Sequence, residues 1–116
     1  YVGDIVEAVL RVNDRVPAPD PGYSAASPDP ATSDAPYRVF NIGNHQPVPL
    51  MDFIGCIEER LGRQAEKRLL PMQPGDVAAT CADTAALEEW IDFAPSTPLS
   101  AGIARFVDGY RHYYQI

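Results

Sequence analysis

Pro49-Leu50-Met51-Asp52-Phe53-Ile54-Gly55-Cys56-Ile57-Glu58-Glu59-Arg60-Leu61-Gly62 is the stretch on which the fold reading turns. Leu50, Phe53, Ile54, Ile57 and Leu61 recur at i, i+3, i+4, i+7 and i+11, the spacing of one face of an α-helix. Pro49 suits the first turn, where a missing N–H is no loss, and Gly62 stands where a helix end takes a left-handed residue. Glu58, Glu59, Arg60 and Arg63 read as a solvated face of that helix.

Working outward, Ile5, Val6, Val9 and Leu10 also recur at helical spacing, and Asp4 with Glu7 has the spacing of an acidic capping box. They predict a helix of about three turns ending near Asn13. Residues 16–37 then change character: Pro17, Pro19, Pro21, Pro28, Pro30 and Pro36 are six of the chain's twelve prolines. Proline lacks the donor that helices and strands need, so this segment is expected to be an inserted extended loop or a partly disordered arm. Arg38–Ile42 has the composition of a short buried strand, followed by a turn at Gly43 and Asn44. Glu66–Pro71 reads as a second short strand. Asp83 can cap a short helix bearing Leu87, Trp90 and Ile91. Thr97 and Pro98 form an N-cap and first-turn pair for a helix bearing Leu99, Ile103, Phe106, Val107, Tyr110 and Tyr114. The expected fold class is α/β, with four helices and two short strands in one unit over residues 1–116.

The chain has 116 residues, 46% of them hydrophobic and 22% charged, which suits one small globular unit with one modest core. Its net charge of -7 argues against nucleic acid or an anionic membrane surface as the main partner. No apolar run reaches the length of a membrane span. Cys56 and Cys81 are too few for a disulfide scaffold and too far apart for a paired metal or redox motif, so a cytoplasmic location is expected. His45 and His112 stand apart from any metal-binding pattern, and no metal site is expected. There is no Gly-x-Gly-x-x-Gly, no nucleophile elbow and no Tyr-x-x-x-Lys, so neither a dinucleotide site nor a catalytic residue is expected within the chain.

The polar pattern that carries chemistry is Leu70-Pro71-Met72-Gln73-Pro74-Gly75-Asp76-Val77. Two prolines stiffen a turn in which Gly75 can adopt angles closed to other residues. Asp76 offers a carboxylate that can accept two hydroxyl hydrogen bonds, and Gln73 an amide that both donates and accepts, as a sugar or nucleotide requires. The alternative is that Asp76 merely closes the turn onto a backbone N–H. Asn41 and Asn44 follow a strand end, a place where ligands approach in α/β sheets, or serve ordinary turn chemistry. Tyr110, Tyr113 and Tyr114 form a stacking surface or, beside Phe106 and Val107, the core and rim of their helix.

Tyr1–Ala8, Tyr37–Asn44, Leu70–Val77 with Ala82-Asp83, Phe93–Leu99 and Gly102–Val107 together resemble the C-terminal part of NAD-dependent nucleotide-sugar epimerases of the extended short-chain dehydrogenase/reductase family, nearest to the UDP-glucuronate 4-epimerases. The resemblance runs through nearly the whole chain. It implies the substrate-binding portion of a Rossmann-type enzyme without its N-terminal NAD-binding core, cut from a longer protein and inactive alone. NAD would belong to the parent and not to this portion. By position, Asp76 would bind ribose hydroxyls, Gln73 would lie by the ribose and diphosphate, and Leu50 would pack near the uracil. Gln73 stands where related enzymes often carry arginine, and a neutral amide forgoes the charge-assisted phosphate bond.

The expected partners are a UDP-sugar and the missing N-terminal domain, with no nucleic acid and no membrane. Self-association through the exposed edge of the Arg38–Ile42 strand is also expected. A dehydratase or decarboxylase acting on a similar nucleotide sugar is an alternative parent. A non-catalytic acidic interaction module, using its tyrosine-rich last helix as a contact surface, is an alternative of another class.

Overall fold

The computed structural model describes all 116 residues and contains four helices, α1 (Val2–Asn13), α2 (Leu50–Leu61), α3 (Ala85–Ile91) and α4 (Leu99–Tyr114). The chain divides into two compact units. One comprises Tyr1, Gln46–Thr80 and Thr97–Ile116 and contains α2 and α4; the other comprises Val2–His45 and Cys81–Ser96 and contains α1 and α3.

The helix ends follow local chemistry. α2 is entered through Pro49, whose carbonyl accepts the N–H groups of Asp52 and Phe53 at 3.1 Å each. It ends at Gly62 in the left-handed conformation (φ 67°), with Gly62 N–H donating to Glu59 O and Arg63 N–H to Glu58 O, the paired bonds of a Schellman motif. In α4 the expected pair shifts by one residue: Pro98 occupies the cap and Leu99 opens the helix, while the Pro98 carbonyl accepts Gly102 N–H at 3.0 Å. α1 begins at Val2, so Asp4 lies in the first turn, where its charge meets the positive end of the helix dipole, and is not the cap. Asp83 does serve α3, accepting the Ala85 N–H at 3.2 Å from one position outside the cap residue Thr84.

The two expected strands are not formed. Thr32 and Arg38 make one isolated antiparallel bridge, joined by Val39 N–H donating to Ala31 O at 3.0 Å, and neither Arg38–Ile42 nor Glu66–Pro71 enters a ladder. The α/β expectation is corrected to four helices with irregular connections. The physical reason is that strand composition specifies a half-buried pleated surface, but a strand exists only when a neighbour accepts and donates its backbone bonds. The proline-rich segment 16–37 is a run of short turns closed by Tyr23 N–H to Asp20 O, Ser27 N–H to Ser24 O and Thr32 N–H to Asp29 O.

In one unit α1 packs on α3, and Ala8 and Leu87 are fully buried; in the other α2 packs on α4, where Ile103 and Val107 are buried. The apolar stripe of α1 that the sequence marks as a core face is largely in solvent: Val6 and Val9 are each 52% exposed and Leu10 56%. Ile5, Phe53, Leu70, Phe106 and Tyr110 also lie among the exposed large apolar side chains. No helix is long and apolar enough to cross a membrane.

Burial this uneven sets the stability map. Leu87→Ala is expected to lower unfolding stability by about 2–4 kcal/mol, because it empties a fully buried site. Val9→Ser on the exposed stripe is expected to change it by less than about 0.5 kcal/mol. Urea denaturation followed through Trp90 fluorescence measures both.

Candidate functional site

Gln73, Pro74, Gly75 and Asp76 form a tight turn closed by Asp76 N–H donating to Gln73 O at 3.1 Å. Proline at the second position and a positive φ of 95° at Gly75 in the third mark it as a type II turn. A Cβ at Gly75 would meet nothing within 4 Å, so what excludes other residues there is backbone conformation alone. Closure runs through the backbone, and the Asp76 carboxylate is left pointing to solvent without a hydrogen-bonding partner. The alternative in which the carboxylate itself closes the turn is not what the structure shows.

Gln73 and Asp76 are therefore brought together on one exposed turn, as their spacing predicts. Leu50 comes from another element of the same unit, the first residue of α2, and is 67% exposed. The three side chains thus share a unit, with two of them on one turn.

The chain between α2 and this turn is tied back to the helix by Glu58. Its Oε1 accepts the backbone N–H of Ala65 at 2.6 Å and the ammonium of Lys67, at the protein surface, with Glu58 itself partly covered. These bonds, the Lys67 one foremost and then the Ala65 N–H, hold the Glu58 carboxyl below its ordinary value of 4.5. Two further ties clamp α2 to α4: Arg60 pairs with Asp108, and Arg111 donates to the Leu61 carbonyl at 3.2 Å. The polar face expected to be solvated is, at Glu58 and Arg60, engaged in tertiary bonds. No helical spacing marks these roles, since the partners lie 7, 9 and 48 residues away.

Asn41, Arg11, Arg15 and the α4 tyrosines take structural roles. The Asn41 amide donates to the Asp83 carbonyl at 3.3 Å, within the α1–α3 unit. In the same unit Arg11 donates to the Asp92 carbonyl at 3.2 Å and Arg15 to that of Trp90, so two cations sit at the negative end of α3. Arg15 also stacks 4.0 Å from the Trp90 ring centre. The aromatic run on α4 is a surface feature. Tyr110 and Tyr114 rings lie 4.6 Å apart and Tyr113 meets Tyr114 edge-on at 4.9 Å, with all three residues exposed. No helix follows a strand and a glycine-rich turn, so the residues present do not build the phosphate cradle of a dinucleotide site.

Gly75→Ala is expected to destabilise the turn by about 1 kcal/mol, read as faster amide exchange at Asp76 with helix content unchanged. The Glu58 tie carries a pH signature. The carboxyl takes up a proton at lower pH in the folded state than in the unfolded chain, so its stabilisation is complete above about 4.5 and is lost as pH falls further. The stability difference between wild type and Lys67→Met should be constant near neutrality and shrink below that pH, as urea midpoints across a pH series would measure.

No protein-family model matches the chain. It is 47% identical over 115 residues to Protein CapI of Staphylococcus aureus, covering 99% of this chain and 34% of that protein. It is 39% identical over 119 residues to a probable UDP-glucuronate 4-epimerase of Rhizobium meliloti, with coverage of 99% and 34%. With UDP-glucuronate 4-epimerase 4 of Arabidopsis thaliana it shares 34% identity over 115 residues, covering 98% of this chain and 25% of the relative. The chain thus spans about a third of the length of the bacterial relatives it matches.

Proposed function

This chain is homologous over its whole length to a portion of the UDP-glucuronate 4-epimerases and CapI, and from that premise we propose that it is the part of such an epimerase that grips the nucleotide of a UDP-sugar. The observation that carries the reading is the Gln73–Asp76 turn, a tight reversal that places an exposed carboxamide and an exposed carboxylate at its first and last positions. A ribose presents two adjacent hydroxyls, and one carboxylate can accept both. The Gln73 amide donates to a ribose or diphosphate oxygen, as a neutral contact without the strength of an arginine fork. Leu50 supplies an apolar surface for the flat face of the uracil.

The division of labour follows from what this chain contains. Oxidation and reduction of a sugar carbon need a hydride acceptor, and NAD would be held by the other two-thirds of an epimerase of the relatives' length. This chain builds no strand–turn–helix phosphate cradle for that cofactor, and no step through it is assigned to its residues. What they contribute is binding energy far from the reacting carbon, which positions the sugar for chemistry performed elsewhere. The exposed apolar stripes of α1 and α4 support docking of this portion against further polypeptide. Such a fragment is expected to be inactive alone.

The test is calorimetric titration of UDP into the chain and into Asp76→Ala. Removing a charged acceptor at an exposed site is expected to weaken binding about tenfold. Equal heats from both proteins would remove Asp76 from the site.

A further inference from the structure

We propose that Glu58 is a positioning residue for the nucleotide grip: by holding the chain at Ala65 and Lys67 against the last turns of α2, it keeps the Gln73–Asp76 turn within reach of Leu50 at the helix's other end. This rests on the proposed nucleotide site and adds to it a residue that touches no ligand.

The inference starts from the route of the chain. The Schellman bonds at Gly62 and Arg63 stop the helix, and the next residues do not continue away from it. Ala65 N–H and the Lys67 ammonium both return to the carboxylate of Glu58, seven and nine residues earlier. One acceptor therefore bonds backbone and side chain of the segment that leads into the turn, from a partly covered position on the last turns of α2. A charged acceptor shared by two donors is among the stronger polar ties available to a surface segment.

Reach supplies the second half. From Lys67 to Gln73 an extended chain spans at most about 20 Å. From Glu58 back to Leu50 the helix rises about 12 Å. A segment pinned at Glu58 can therefore bring Gln73 and Asp76 level with Leu50. Released from Glu58, the same turn hangs from Gly62 on a longer free segment, and the effective concentration of its side chains near Leu50 falls. The tie acts by narrowing the places the turn can occupy.

Three variants and two readouts test this. Glu58→Ala should weaken UDP binding about three- to tenfold. Glu58→Gln, which keeps an oxygen for the Ala65 N–H and loses the attraction for Lys67, should fall between it and wild type. Arg60→Ala breaks the ion pair between α2 and α4 without touching the tie and should leave UDP affinity unchanged. Amide exchange without ligand is the second readout, and Glu58→Ala should accelerate exchange at both Ala65 and Asp76. Wild-type affinity in Glu58→Ala, an equal loss in Arg60→Ala, or exchange altered at Ala65 alone would overturn the proposal. If wild type binds no UDP, the nucleotide reading fails by itself, and the exchange pattern still decides whether Glu58 orders the turn.

Discussion

With Ala8, Leu87, Ile103 and Val107 as the buried hydrophobic side chains, each unit rests on one helix-to-helix contact, and its polar ties gather at the edges of that contact. Arg60 with Asp108 and Arg111 with the Leu61 carbonyl bracket the α2–α4 pair. Arg11 and Arg15 do the same for α1 and α3 through the last carbonyls of α3. Exposed ion pairs contribute little individually, so their weight here lies in fixing which faces meet, while the few buried aliphatic groups supply most of the stabilisation. A chain held this sparingly leaves its remaining apolar stripes in water.

That exposure bears on function as much as on stability. The turn carrying Gln73 and Asp76 lies in a segment where every residue from Arg68 to Thr80 is exposed, so no core packing holds it in place. Its order comes from within, through Pro74, the positive φ of Gly75 and one backbone hydrogen bond, and from behind, through Glu58. Ligand groups on loops are useful only when something restricts their motion, because each freely rotating side chain costs entropy on binding. In the proposed site that restriction is the carboxylate of Glu58 on α2.

Homology covers about a third of the relatives' length. Side chains such as Val6, Val9, Phe106 and Tyr110 carry a periodicity that normally identifies a core face, yet each remains about half exposed or more. The same holds for Arg38–Ile42, whose strand-like composition finds no ladder.

What the sequence settled by itself were the features that depend on neighbours along the chain. The four helices follow from apolar spacing, the stop at Gly62 from a residue able to adopt a left-handed angle, and the turn at Gln73–Asp76 from proline followed by glycine. These are short-range consequences of backbone sterics and local hydrogen bonding. Tertiary structure alone decided which apolar faces are covered, that neither strand forms, that Glu58 takes partners beyond the end of its own helix, and that Arg60 pairs with Asp108, 48 residues away. Burial, sheet pairing and long-range ties require two distant segments to meet, and the spacing of residues within one segment carries no record of the other.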